Sequence, residues 1–158
     1  MTDWNTLTRS YSVWDDKNIK GFFGEYRWLS NFQSWSVWFR GLEYPSSENA
    51  YQAAKVDVDS RQSFLTCSAT KSKTLWKEFP SLYTTEQWDE IRYDIMSEIL
   101  FNKFKSGGLR QKLIETADKH LVEINHWHDV YWGVDYKSGN GENKLGEILM
   151  KIRKYWKE

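Results

Sequence analysis

Glu48, Gln52 and Lys55 stand at i, i+4 and i+7 in the segment Ser47-Glu48-Asn49-Ala50-Tyr51-Gln52-Ala53-Ala54-Lys55. On a helix this spacing sets them along one face, with the ends about 10 Å apart along the axis. A cleft laid on that face would meet a carboxylate at one end and an amine at the other. Glu48 falls in the first helical turn, where the dipole keeps a carboxylate ionised unless burial opposes it. The same periodicity also fits a solvated polar face with Ala50, Ala54 and Val58 turned inward. A second constellation is Asp129-Val130-Tyr131-Trp132-Gly133-Val134-Asp135. Tyr and Trp can stack on a base or a sugar face, and carboxylates can take a ribose hydroxyl or stabilise a cationic sugar. A surface turn whose aromatics fold back onto the core has the same composition.

Other chemistry is less well supported. Gly139 and Gly141 begin a Gly-x-Gly, but Lys144 stands where the third Gly belongs; Gly141 to Gly146 has Walker-A spacing, but Glu147 replaces the lysine. What remains is a glycine-containing loop, Ser138 to Glu142, leading to a helix start at Asn143 and Lys144. Such a start can hold a phosphate or be an ordinary cap. His126 and His128, with His120 nearby, lack a third ligand at metal spacing, so no metal site is expected. Cys67 has no local His or basic neighbour and reads as a small buried hydrophobe.

Positioning these groups calls for particular elements. Trp35, Val37 and Phe39 alternate with Ser34, Ser36 and Trp38, the pattern of a strand. Arg40-Gly41 then turns into a partner strand, Leu42 to Tyr44. Pro45 and Ser46 open the first helix, capped by Ser46 or Ser47, with Ala50, Ala54 and Val58 at helical spacing. Short helices are expected over Ser63 to Cys67 and Thr70 to Phe79. Thr84 and Gln87 form a capping box before a long helix lined by Trp88, Ile91, Ile95, Ile99 and Phe104 and stopped at Gly107-Gly108. A helix over Leu109 to Ala117, a strand over Leu121 to Asn125, a loop from His126 to Glu142 and a last helix from near Asn143 complete the chain. The order predicts an α+β fold, a helix-rich single domain with a small sheet. Residues 1–19 read as an N-terminal arm and 20–158 as the domain.

Ten Trp, nine Tyr and eight Phe make up 17% of the 158 residues, against two Pro, which excludes a disordered chain. Lys and Arg total 22 and so do Asp and Glu, so no global basic field for duplex nucleic acid exists. A single cysteine excludes an intrachain disulfide and favours a cytoplasmic location. The first residues lack the basic and apolar regions of a signal peptide. No apolar run approaches the roughly 18 residues a membrane helix needs, so no membrane partner is expected.

Five separated stretches resemble one family in order and spacing. They are Trp28-Leu29-Ser30-Asn31-Phe32; Tyr44-Pro45 with Ser46 through Lys55; Trp88 ahead of Lys103-Phe104; Asp129-Val130-Tyr131-Trp132-Gly133; and Gly141-Glu142-Asn143-Lys144-Leu145-Gly146 with Glu147 through Met150. On these, over roughly residues 20–156, the chain resembles the NADAR (YbiA-like) family of N-glycosidases. The resemblance implies a hydrolase acting on N-glycosidic bonds of ribose, with no cofactor. Two substrate classes are associated with it. One is ADP-ribose linked to a nucleobase, notably guanine, in DNA, RNA or a nucleotide. The other is a phosphoribosylated amino-pyrimidine intermediate of riboflavin synthesis. Carried over by position, Glu48, Lys55 and Asp129 are implied as catalytic. Asn31, Phe32, Tyr51, Trp88, Trp132, Gly133 and Asn143 are implied around the substrate. The sequence departs from the family pattern at Asn49, where a His is common, and at Trp76-Lys77, where a Gly-Arg pair is expected. It departs again at Val134-Asp135-Tyr136-Lys137, where glycines are expected.

Cleavage of such a bond passes through an oxocarbenium-like carbon, which carboxylates stabilise or supply with water. Glu48 and Asp129 are the candidates, with the division of roles open. Two roles are open to Lys55 as well: a Schiff base at C1 of an opened ribose, or an ion pair with a phosphate or Asp129. Trp88 and Trp132 are expected to stack the base or exclude water. At least one of Trp28, Trp35 and Trp38 is expected to pack the sheet against the signature helix.

Overall fold

The computed structural model describes residues 12–158. Two compact units are present: Asn31–Leu109, and residues up to Ser30 together with Arg110–Glu158. The part of the expected arm before residue 12 lies outside the described residues.

The unit Asn31–Leu109 begins with an antiparallel pair, β3 (Val37–Phe39) and β4 (Leu42–Tyr44), numbered after two earlier strands of the other unit. Arg40 and Gly41 both have positive φ, the conformation that lets a two-residue turn follow the strand twist. Val37, Phe39 and Tyr44 face inward and are buried. Trp35 and Trp38, expected as candidates for that packing, are exposed at 39% and 61%. Period two put Trp38 on the outer face correctly, but Trp35 precedes the paired residues and escapes the alternation.

Helix α1 (Ser47–Ala53) follows, with the Ser46 hydroxyl accepting the Asn49 N–H as N-cap. Every residue of α1 is buried, so the solvated-face alternative does not hold. The helix ends one turn sooner than the apolar spacing suggested. Arg61 Nε donates to the carbonyls of Ala53 and Val56 at 3.1 Å each, satisfying backbone that a longer helix would have used. Val58, expected inside, is 66% exposed.

A 3-10 segment (Asp59–Phe64) replaces the helix expected over Ser63 to Cys67. Helix α2 (Ala69–Leu75) is capped by Ser68 and continues as a 3-10 turn, Trp76–Glu78. Helix α3 (Thr85–Lys103) starts with the expected capping box, Thr84 and Gln87. It packs Ile95, Met96, Ile99 and Leu100 inward, against α1 and β3. Gly107 and Gly108 do not stop α3, which ends at Lys103. They open helix α4 (Gly107–Glu115).

In the other unit, β1 (Val13–Trp14), β2 (Asn18–Lys20) and β5 (His120–Val122) form a sheet in that order, β2 parallel to β5. Residues 13–19, read as the end of an arm, therefore supply two strands. They are too short and polar for an alternation signal. The strand expected over Leu121 to Asn125 is two, because β6 (Ile124–Asn125) pairs instead with β7 (Val134–Asp135). Helix α5 (Lys144–Lys157) packs Leu145, Ile148, Leu149 and Ile152 inward, with contacts to β5. The fold class is α+β, with three small sheets where one was expected.

Glycines of the expected motifs act as spacers in this unit. A Cβ at Gly146 would collide with the Leu121 carbonyl, and one at Gly133 with the Glu123 carbonyl. Both obstacles are backbone and cannot swing aside. Gly146→Ala is expected to cost about 3 kcal/mol by overpacking. Chemical denaturation checks this; a loss under about 1 kcal/mol would mean the helix shifts freely.

Candidate active site

Glu48 projects from the first turn of α1, and its backbone N–H donates to the Asn31 carbonyl at 3.1 Å. Gln52 Nε2 donates to Glu48 Oε1 at 2.7 Å, the i, i+4 contact anticipated from spacing. Glu48 is 6% exposed and Gln52 5%. Asn31 Nδ2 lies 3.5 Å from Met96 Sδ. Asn31 Oδ1, Ser47 Oγ and Gln52 Oε1 are buried with no hydrogen-bond partner among the described residues. Buried polar atoms left this way cost about 1–3 kcal/mol each; two of the three lie on α1, and the third is on Asn31, whose carbonyl accepts the Glu48 N–H.

Asn49, the departure from the family histidine, faces elsewhere. Its Nδ2 donates to the carbonyls of Phe64 (3.0 Å) and Cys67 (2.9 Å), and its Oδ1 accepts from the Ser46 hydroxyl. It ties α1 to the following segment. Cys67 Sγ lies 3.4 Å from Asn49 Nδ2, and burial raises its thiol pKa; it is half-buried, where a fully buried side chain was expected.

Lys55 follows the C-cap of α1, and three rings lie against its amine. Nζ lies 4.4 Å from the Trp76 centroid, 5.4 Å from Tyr51 and 5.5 Å from Trp88. Trp88 Nε1 donates to the Tyr51 hydroxyl at 3.2 Å, which locks these two rings together. Burial pushes the Lys55 pKa down to about 8; the Glu48 carboxylate opposes this, while Lys77, Arg92 and Lys73 add repulsion. At pH 7 such an amine is unprotonated roughly 300 times more often than an ordinary lysine at 10.5. Lys73 Nζ also lies 5.4 Å from the Phe32 ring. Residues of α1, α2, the turn after it and α3 thus bring one buried carboxylate, one depressed amine and further cations together.

Asp129, Trp132, Gly133 and Asn143 belong to the other unit. Asp129 Oδ1 accepts the backbone N–H groups of Tyr131 (3.1 Å) and Trp132 (2.9 Å). Asn125 clamps the Asp129 backbone from both sides, accepting its N–H and donating to its carbonyl. Trp132 stacks edge-on to Tyr131 at 4.8 Å. Asn143 has positive φ; its Nδ2 donates to the Leu121 carbonyl and its Oδ1 accepts the Glu123 N–H. Both of its polar atoms therefore fasten α5 to the strand region.

A family model described as the NADAR domain matches residues 14–156. The chain belongs to the NADAR family. N-glycosidase YbiA of Shigella boydii is 31% identical over 151 residues, covering 94% of this chain and 88% of that protein. A riboflavin biosynthesis protein of Vibrio vulnificus, VVA0006, is 35% identical over 133 residues, covering 82% of this chain but 35% of that longer protein. The solved NMR structure of the E. coli protein YbiA aligns with a TM-score of 0.74 at 29% identity, covering 94% of this chain and 89% of that one. The enzyme class expected from the NADAR resemblance, a hydrolase of N-glycosidic bonds, is the one named for several of these relatives.

Of the expected site residues, Asn31, Phe32, Glu48, Tyr51, Lys55 and Trp88 fall in the unit Asn31–Leu109. Four residues that act on Lys55 were not anticipated as site residues: Trp76, which lies against its amine, and Lys73, Lys77 and Arg92, whose charges lower its pKa. Trp76 and Lys77 were visible as a departure from the family pattern, the one sequence signal that pointed there. No helix among the described residues is long and apolar enough to cross a membrane.

Proposed function

We propose that this NADAR protein hydrolyses the N-glycosidic bond between an ADP-ribosyl group and a nucleobase, guanine in a nucleic acid or nucleotide, and so reverses ADP-ribosylation. The observation that carries the reading is the Lys55 amine, depressed to about 8, held among Tyr51, Trp76 and Trp88 and influenced by the buried Glu48. The Glu48 carboxylate takes a proton from the Lys55 ammonium and delivers it to the base as the sugar C1–N bond breaks, so the base leaves neutral. The freed Lys55 Nζ bonds to C1 and returns a proton to Glu48; that proton then goes to O4 as the C1–O4 bond breaks, which leaves a protonated imine between Nζ and C1 of the opened ribose. Water adds to C1, the lysine leaves as its ammonium, and the aldehyde closes on O4 as ribose. Gln52 Nε2 holds the Glu48 carboxylate in place, and the Asn31 carbonyl receives the Glu48 backbone N–H. Lys73, Lys77 and Arg92 supply positive charge for the phosphates. Within its own unit, Asp129 holds the Tyr131-Trp132 backbone through two N–H···O bonds.

The second reading, cleavage of a phosphoribosylated amino-pyrimidine of riboflavin synthesis, is favoured by the Vibrio relative. The same amine and carboxylate serve it, with one phosphate in place of two. Parallel assays on ADP-ribosylated guanine oligonucleotide or nucleotide and on the phosphoribosyl pyrimidine separate the two. The expected result is release of free ADP-ribose with kcat/KM at least about tenfold above the pyrimidine substrate, a difference of about 1.4 kcal/mol in transition-state binding. Turnover of the pyrimidine alone would transfer the function to the second reading. Ligand binding with no cleavage of either would reduce the protein to a nucleotide reader.

A further inference from the structure

The three rings around Lys55 differ in how they are held. Tyr51 is 6% exposed on α1 and accepts a hydrogen bond from Trp88. Trp88 lies 5.2 Å from Tyr51 and 5.8 Å from Tyr83, so it is braced on two sides. Trp76 is different. It opens a three-residue 3-10 turn after α2, is only half-buried, and its side chain has no contact of these kinds among the described residues beyond the Lys55 amine. Yet its centroid is the nearest of the three to Nζ. Lys55 keeps part of its surface exposed; a sugar that uses the face of the amine lying against Trp76 must move that ring, and a half-buried ring costs less to move than one braced on two sides.

We infer that Trp76 is the wall that yields to the incoming sugar, and that its indole thereby decides which carbonyl compounds reach Lys55. The inference rests on the reading of Lys55 as the nucleophile. In the free protein the indole face covers the amine, a favourable cation–π contact whenever Nζ is protonated. A substrate must replace that contact with its own ring or sugar, so a small aldehyde slips past while a bulky one has to displace the indole. Trp76 is then a specificity-determining residue.

The test is reductive trapping at Lys55 by peptide mass mapping, with cyanoborohydride as hydride donor and two probes, glycolaldehyde and ribose 5-phosphate. Amine and aldehyde condense with loss of water, and hydride reduces the imine to a stable secondary amine. Trp76→Ala is expected to accelerate labelling by ribose 5-phosphate about tenfold, and that by glycolaldehyde less than about threefold. Trp76→Phe should fall between, which keeps the test decisive if the Ala variant fails to fold. Rates taken from pH 6.5 to 10 separate a gate from a change in basicity. The groups setting that basicity are Glu48 on α1, Lys73 on α2, Lys77 in the turn and Arg92 on α3. A gate raises the alkaline plateau, whereas altered basicity moves the midpoint. Equal acceleration with both probes, a moved midpoint with an unchanged plateau, or no acceleration would each overturn the gate while leaving Lys55 as nucleophile. Failure to label Lys55 in any variant would overturn both.

Discussion

Lys55→Ala is expected to lower kcat for glycosidic cleavage by at least about a thousandfold while binding groups and fold remain, the order expected when a covalent nucleophile is removed. Lys55→Arg should be nearly as inactive. Arginine keeps the positive charge that an ion pair with phosphate requires, but it stays protonated and forms no imine. The pair of variants therefore separates the two roles open to Lys55. Retention of activity within about tenfold in Lys55→Arg would assign the residue to charge pairing. The pH dependence adds a sign. Burial and neighbouring cations lower the Lys55 pKa to about 8, so imine formation should rise with pH through that value and level off above it. An ordinary lysine would still be rising at pH 10.

Glu48→Gln is expected to reduce turnover by about a hundredfold or more, the usual range for loss of a general acid. The glutamine retains an oxygen to accept the Gln52 amide, so a large loss of stability is not expected. A second effect runs the other way. The Glu48 carboxylate raises the Lys55 pKa, so removing its charge should lower that pKa further. Cyanoborohydride trapping with a small aldehyde should then reach its half-maximum at a lower pH than in the unaltered protein, although natural turnover falls. A reduced rate with an unmoved trapping midpoint would show that Glu48 and Lys55 do not interact electrostatically. Full turnover in Glu48→Gln would remove Glu48 from the mechanism.

The signature helix was legible because two local signals agree there. Ser46 supplies a cap, and Glu48 and Gln52 sit one turn apart, where they meet at 2.7 Å. The capping box at Thr84 and Gln87 was readable for the same reason, since the contact is four residues long. Helix ends were less legible. The end of α1 depends on Arg61 reaching back to its carbonyls, a tertiary contact with no trace in the apolar spacing. Strands β1 and β2 escaped notice because two or three residues cannot display a period.

The site shows the same division. Glu48 and Lys55 were accessible from spacing together with the family resemblance. The crowd of cations around Lys55 was not, because Lys73, Lys77 and Arg92 come from elements whose meeting depends on how α2 and α3 pack on α1. The abundance of aromatics excludes disorder but does not locate the site. Of the tryptophans, Trp35 and Trp38 lie exposed, whereas Trp76, which spacing did not single out, sits nearest the amine. Asn143 and Gly133 carry motif positions whose visible work is fastening and spacing of backbone.

The central claim is that Lys55 bonds covalently to the sugar carbon during cleavage. The most direct measurement is to incubate the protein with ADP-ribosylated guanosine, and in parallel with the phosphoribosyl pyrimidine, in the presence of cyanoborohydride, and then to map the adduct by mass spectrometry. The predicted result is one added sugar moiety without its base, attached at Lys55, with activity lost in proportion. Released base and sugar with no adduct, or an adduct at another lysine, would contradict it.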